Sequence, residues 1–364
     1  MALQIPHPTH GGQLRQIAKR YGLSTERLID FSVNVNPAGP PESVQAMIRQ
    51  VLEDPAALMR YPDLELVELK QTIADYTGVQ PNNIAVANGF VPLLEAALRS
   101  LKVRRCLLPV PSFSEYRTVL ENADIDVTRY SLSPDDGFRY EPGRILRASL
   151  DHTCDAILMA NPQNPSGALC NLEIMQQLIT TATQHNITIL LDEAFIDYCP
   201  LDSSTRLVDQ ANVVVFRSVT KFFAIPGLRV AYAVANASKV HAMNRFIAPW
   251  PITSVASDGV RAALYDGTYA EMSRLANDRR RLWLGRELAR LGITTYPSGA
   301  NFLLLRFPAG VNVNLLWEKM IVEENLVVRS CTNFEGLAAG HLRVAVRSEE
   351  ENERLIHGLE RRMV

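Results

Sequence analysis

Lys221 is the residue in this chain best placed for covalent chemistry. It stands in Arg217-Ser218-Val219-Thr220-Lys221-Phe222-Phe223-Ala224-Ile225-Pro226-Gly227-Leu228-Arg229. Apolar runs at 213–216 and 230–234 flank that stretch and read as buried strands. A lysine held in a tight apolar turn loses hydration, so its ammonium form is disfavoured and the neutral amine becomes a nucleophile. The natural use of such an amine is a Schiff base with a carbonyl, and pyridoxal phosphate (PLP) is the carbonyl cofactor most often held in this way. The hydroxyls of Ser218 and Thr220 and the guanidinium of Arg229 suit a phosphate. Taken alone, the stretch fits a solvated loop lysine equally well, so the other contacts decide.

Those contacts are sought at other strand ends. The run 156–160 reads as a strand and ends in Asn161-Pro162-Gln163-Asn164-Pro165-Ser166-Gly167, a rigid turn that aims Asn164. The run 187–191 ends in Asp192, either a helix cap or a functional carboxylate. Residues 84–87, Asn88-Gly89 and a helix over 92–101 make a strand, glycine turn and helix N-terminus, a general cradle for phosphate. Phe113 follows the strand at 106–110, where an aromatic either stacks on a flat ligand or joins the core. Strands alternating with helices imply a doubly wound, mostly parallel sheet, and such sheets bind ligands beyond the carboxyl ends of their strands. Asn164, Asp192 and Lys221 converge on that edge from three strands.

The remaining elements frame this edge. A short helix is expected near 14–21, a strand over 31–35 that puts Ser32, Asn34 and Asn36 on one face, and helices at 64–76 and 172–184. From 263 onward the pattern becomes a long charged helix (269–291), strands at 295–296, 301–307, 326–330 and 342–347, a helix at 314–324, and a capping box, Ser348-Glu349-Glu350-Glu351, opening the last helix. The α/β chain therefore divides into a large domain, 45–262, and a smaller α+β domain from 1–44 and 263–364.

Composition excludes several classes of function. Hydrophobic residues make up 47% of the 364, and Lys+Arg against Asp+Glu is 37 to 39, a net charge of −2. Nothing basic points to nucleic acid or a membrane surface. No apolar run approaches the roughly 18 residues needed to span a bilayer. Five scattered cysteines without a CxxC pair fit a reducing cytoplasm and no structural metal.

Asn161 to Gly167, Asp192-Glu193-Ala194, Ser218-x-x-Lys221 and Arg229, in this order, resemble the fold type I PLP enzymes of the class I/II aminotransferase group, over nearly the whole chain. The resemblance implies that Lys221 carries the cofactor, Asp192 pairs with its ring nitrogen, and Asn164 bonds its phenolic oxygen. It implies that Phe113 and Ala194 cover the two ring faces. Gly89, Phe90, Ser218 and Arg229 would hold the phosphate. Tyr61 matches a tyrosine that reaches the neighbouring subunit's site, which implies a homodimer, and Arg343 matches the arginine that holds the substrate's acid group.

Within the group the chain is similar to the histidinol-phosphate aminotransferases, with departures. Phe195 stands where a tyrosine is usual, and Arg347 where a glycine is usual. Thr9-His10-Gly11-Gly12, Val328-Arg329-Ser330-Cys331 and Pro249-Trp250 resemble the threonine-phosphate decarboxylases of cobalamin assembly. That resemblance implies a small substrate with a carboxylate and a phosphate. Its contacts would be His10, Gly11, Asn34, Arg329 and Arg343.

Overall fold

The computed structural model describes residues 10–363; Thr9 of the motif above lies outside them. In chain order the strands are β1 (Ile29–Asp30), β2 (Ile84–Ala87), β3 (Arg105–Val110), β4 (Asp126–Ser131), β5 (Ala156–Ala160), β6 (Thr188–Asp192), β7 (Val213–Ser218) and β8 (Ala231–Ala235). Then come β9 (Thr294–Thr295), β10 (Phe302–Arg306), β11 (Leu326–Val327), β12 (Arg329–Ser330) and β13 (His341–Ala345). Strands β2 to β8 form a seven-stranded sheet in the order β2-β8-β7-β6-β5-β3-β4. It is parallel except at β8, which runs antiparallel to both β2 and β7. Strands β12, β13, β10 and β9 form a four-stranded sheet, and β1 pairs with β11 in a separate two-stranded ribbon.

The inner strands of the large sheet are buried on both faces because they are apolar at nearly every position rather than at alternate ones, whereas the edge strand β4 carries Asp126, Thr128 and Arg129. Successive residues serve opposite cores. Ile157, Met159, Ile189, Leu191, Val213 and Val215 pack on one side. Leu158, Leu190, Val214 and Phe216 pack on the other, against the helix Phe90–Leu101. Each such side chain stabilises the fold by about 1.5–3 kcal/mol relative to exposure. A third core, built on Phe31, Leu284, Leu305, Trp317 and Leu355, underlies the four-stranded sheet.

Local signals set the helix ends. Asn171 caps the helix Leu172–Gln184 by accepting from the Ile174 N–H. Ser348 and Glu351 form the capping box expected from their spacing and open the helix Glu349–Arg362. Among the described residues no helix is long and apolar enough to cross a membrane.

Two expected strands differ. Residues 31–35 do not form one. Phe31 bonds β11 through its N–H (2.8 Å to the Val327 carbonyl) and receives the Ala345 N–H at its own carbonyl (2.9 Å). The Val35 N–H then turns back to Val33 O, and the Asn36 N–H reaches the Lys221 carbonyl at 3.0 Å. Alternation of apolar and polar side chains here reflects a segment threading between two buried surfaces, not a ladder. The expected strand 326–330 breaks at Val328, whose carbonyl accepts from the Trp317 indole (2.9 Å). Its halves, β11 and β12, join different sheets.

Candidate active site

Register brings the chemistry together. Ala160, Asp192 and Phe216 lie level across β5, β6 and β7. The residues just beyond those strands, Asn164 and Ser218 to Lys221, therefore gather at one edge. They line a cavity of about 420 Å³ with Gly89, Phe90, Phe113, Ala194 and Arg229. Its other wall is made by His10, Gly11, Asn34, Arg329 and Arg343. Every residue assigned above to the cofactor or the substrate lines this cavity except Tyr61. That side chain is 80% exposed and packs on Trp250, with ring centroids 4.9 Å apart.

Asp192 ends β6 with its carboxylate buried. The Tyr116 hydroxyl donates to Oδ2 at 2.6 Å and the Ala194 N–H to Oδ1 at 2.9 Å. Burial raises the carboxyl's pKa to about 6, against the lowering effects of Tyr116, the Ala194 N–H and Lys221. Lys221 moves the other way. Burial and then the cations Arg229 and Arg343 lower its pKa to about 8, with Asp192 opposing. An amine near 8 is still mostly protonated at neutral pH, but its neutral, carbonyl-capturing fraction is far larger than that of an ordinary lysine.

Lys221 sits in a single helical turn, Val219–Phe222, that follows β7 directly. Behind it, Arg217 is buried and bonds Asp197 (2.5 Å) and Ser203 Oγ (3.2 Å), with Glu193 at 3.7 Å. Glu193 in turn accepts from Ser203 Oγ and the Ser204 N–H, both at 2.7 Å. Removing one member of such a buried pair costs about 3–5 kcal/mol, because the other charge is stranded. The network fixes the ends of β6 and β7, and hence the spacing of Asp192 from Lys221. Sequence reading passed over Glu193 and Tyr116. Glu193 had a signal, as a second acid beside Asp192. The signal for Tyr116 was weaker: an aromatic one helical turn after Phe113.

One end of the cavity is shaped for phosphate. Gly89 has φ +98° and precedes the helix Phe90–Leu101, so free N–H groups open toward the cavity. A Cβ on Gly89 would come within 2.9 Å of Arg229 Nη2, the tip of an exposed, flexible side chain, so the positive φ rather than lack of space is what calls for glycine there. Ser218 Oγ and Thr220 Oγ1, 2.7 Å apart, add hydroxyls. The other end holds two buried guanidinium groups. Arg343 donates from Nη1 to Asn164 Oδ1 (2.6 Å) and from Nη2 to the Ser32 carbonyl (3.2 Å), while its Nε has no partner. Burial lowers its pKa to about 10, with Arg329 adding to the effect. Arg329 donates to Asn333 Oδ1 (2.7 Å), and both guanidinium carbons lie over the Phe334 ring, at 5.2 Å and 5.9 Å from its centroid. Asn34 is buried beside them with its Oδ1 unpartnered. At the rim His10 Nε2 lies 3.2 Å from Glu115 Oε1. Gly11 passes so close to the Ser32 carbonyl that a Cβ would lie 2.2 Å from that oxygen.

The family model for aminotransferase class I and II matches residues 26–359. The chain belongs to that family. Within it, the chain is 34% identical to the threonine-phosphate decarboxylase of Salmonella typhimurium, over 96% of this chain and 95% of that one. It is 31% identical to histidinol-phosphate aminotransferase 2 of Archaeoglobus fulgidus, over 92% and 93%. The solved structure of the histidinol-phosphate aminotransferase from Clostridium acetobutylicum superposes with a TM-score of 0.85 at 28% identity, covering 92% of this chain and 98% of that one. Members of the aminotransferase class I and II family depend on PLP, and the residues here fit it. They supply a lysine of lowered pKa, a buried carboxylate, and a helix N-terminus entered through a glycine of positive φ at Gly89.

Proposed function

We propose that this chain is a PLP-dependent carboxy-lyase that converts L-threonine O-3-phosphate to (R)-1-amino-2-propanol O-2-phosphate and CO₂ in cobalamin biosynthesis. The observation that carries the reading is the pair Arg329 and Arg343. Two buried guanidinium groups share one cavity with Lys221, and among the described residues Arg343 makes no ion pair with a carboxylate. A buried cation without a counter-charge is costly and awaits an anion. Threonine phosphate brings two anionic groups on a short skeleton, one for each guanidinium. The 34% identity to a threonine-phosphate decarboxylase points the same way.

The chain's residues then divide the work. Gly89, Phe90, Ser218 and Arg229 would hold the cofactor phosphate, Phe113 and Ala194 would cover the ring, and the Asp192 carboxylate would pair with its nitrogen. Asn164, its oxygen engaged by Arg343, has its amide N–H left to donate to the cofactor's phenolic oxygen. PLP, when bound, supplies an electron sink conjugated to the substrate's Cα. Arg343 and Arg329 would bind the carboxylate and phosphate and so fix the orientation of the substrate about Cα. His10, Gly11 and Asn34 close the cavity around those groups. Lys221 returns a proton to Cα after CO₂ departs, a role suited to an amine titrating near 8. The working unit in this reading is a cytoplasmic homodimer, with the exposed Tyr61 reaching the cofactor phosphate of the partner's site.

The competing reading is amino transfer on histidinol phosphate or a related amino acid, favoured by the 31% identical relative. The two part on product. Decarboxylation releases CO₂ from threonine phosphate with no keto acid present. Amino transfer produces none, and turns over only when a keto acid is supplied. No CO₂ under the first condition, with turnover under the second, overturns the proposal.

A further inference from the structure

We propose that Tyr116 is a positioning residue for Asp192, its hydroxyl fixing which carboxylate oxygen faces the cavity and holding that carboxylate in its anionic form. The inference rests on the reading of Asp192 as the partner of the cofactor's ring nitrogen, and it deepens that reading.

The geometry is specific. Tyr116 is 1% exposed, and its hydroxyl donates to Asp192 Oδ2 at 2.6 Å, a short charge-assisted bond. Its ring is held on two sides, edge-on to Phe113 (centroids 5.6 Å apart, 90° between planes) and tilted against Phe90 (5.6 Å). Both of those residues line the cavity. Phe113 is the N-cap of the helix Ser114–Asn122, and the Tyr116 N–H bonds the Phe113 carbonyl at 3.0 Å. A single turn of chain therefore places one ring at the cavity wall and the next hydroxyl on the acid behind it. The Ala194 N–H takes the other oxygen. With one donor on each oxygen, the carboxylate cannot rotate without breaking a bond to a buried group.

The titratable groups around Asp192 are Lys221, whose charge favours the anion, and the neutral hydroxyls of Tyr116 and Tyr140. Tyr140 donates to the Ala160 carbonyl (2.8 Å), not to Asp192. Burial holds the Tyr116 hydroxyl firmly in its protonated, donating form. Tyr116 is thus the one side-chain hydrogen-bond donor to Asp192 among the described residues, and taking its hydroxyl away leaves the backbone N–H of Ala194 and the charge of Lys221 as the supports of the anion.

The test uses Tyr116→Phe, which keeps the ring packing and deletes only the hydroxyl. In the ligand-free protein, the Asp192 carboxyl is titrated by ¹³C NMR with labelled aspartate, the resonance assigned by its loss in Asp192→Asn. The expected result is a midpoint raised by about one to two pH units. In the holoenzyme, PLP affinity at pH 7, read from the visible absorption band, is expected to weaken roughly tenfold, with the deficit shrinking as pH rises and Asp192 ionises. Incorporation of 3-fluorotyrosine at 116 gives a more acidic donor of almost the same shape, and is expected to lower the midpoint instead. It also serves if Tyr116→Phe does not fold. An unchanged midpoint in the folded variants overturns the inference, as does a raised midpoint with unaltered PLP affinity. If wild-type protein binds no PLP, the cofactor reading itself fails, and the ligand-free titration still decides whether Tyr116 holds the acid.

Discussion

The two ends of the cavity offer different kinds of groups to an anion. Toward Gly89 the site is mostly backbone and hydroxyl: a helix N-terminus, Ser218, Thr220 and an exposed Arg229. Toward the four-stranded sheet it is side chain and charge: Arg329 and Arg343, each only 6% exposed. A cradle of N–H groups costs little when empty, because water can serve it, and it suits a group that stays. A buried guanidinium such as that of Arg343, with no carboxylate beside it among the described residues, suits a group that arrives, reacts and leaves. That division matches a resident cofactor phosphate at one end and an exchanging substrate at the other.

The largest expected effect comes from removing the centre between the ends. Lys221→Ala is expected to abolish turnover, by on the order of 10⁴-fold or more, and to eliminate the visible band of the lysine-linked cofactor. It should leave the Gly89 end able to retain PLP non-covalently, which dialysis followed by phosphate analysis will read. A variant that keeps both band and turnover breaks the lysine assignment. Asp192→Asn comes next, with a kcat loss of roughly 10²–10³-fold, the scale of other electrostatic deletions in active sites. Near-wild-type kcat would return Asp192 to the role of a turn-capping residue.

The ends can then be broken separately. Arg329→Ala is expected to weaken threonine phosphate binding by about one to two orders of magnitude, since a charge-assisted bond in a closed site contributes roughly 1.5–3 kcal/mol. PLP affinity should be unchanged. Arg329→Lys should restore only part, because an ammonium lacks the planar fork. Equal affinities for wild type and Arg329→Ala would show that the second anion is held elsewhere. Gly89→Ala is the mirror experiment. Its Cβ meets Arg229 on a backbone with φ +98°, so PLP affinity should drop about tenfold, whereas the arginine end of the cavity should be untouched. Equal losses in both affinities would mean that the two ends do not act separately.

The smallest effect concerns stability and pH in the ligand-free protein. Asp192 titrates near 6 in the fold against about 3.8 unfolded, so between those values the native state binds the extra proton and stability falls as pH rises. Lys221 titrates near 8 against 10.5, so there the unfolded state binds the extra proton and stability rises with pH. Between pH 6 and 8 both groups are charged, and the empty site costs most. Subtracting the Tm profile of Asp192→Asn from that of wild type should isolate the first slope and show it negative from pH 4 to 6. A flat difference would mean that Asp192 is not strained by burial.

Much of this was readable from residue types. Lys221, Asp192 and Asn164 each follow an apolar run, and parallel strands of matched length must bring such residues to one edge. The helix Leu172–Gln184 and the strand Ala156–Ala160 fall where periodicity and turn residues put them. The segment 31–36 was misread because its alternation is real while its hydrogen bonds go to three different elements, and pairing partners leave no trace in local sequence. Tyr116 escaped for a related reason. An aromatic in the first turn of a helix is ordinarily core, and only the fold puts Asp192 against its hydroxyl.

The same segment, 31–36, is also a ruler. Phe31 is stitched to β11 and β13 at one end, and at the other the Asn36 N–H holds the carbonyl of Lys221 itself. The Asn36 side chain adds bonds to the Phe222 carbonyl (2.9 Å), Tyr269 (3.0 Å) and Ser273 (2.9 Å). One residue in from Phe31, the Ser32 carbonyl receives Arg343. A length of chain anchored at both ends tolerates a change of side chain better than a change of length. One inserted residue would slide the arginine's acceptor along the wall while the lysine stayed in place, altering the gap between Arg343 and Lys221. For engineering, residues 31–36 are therefore a stretch to repaint and never to lengthen.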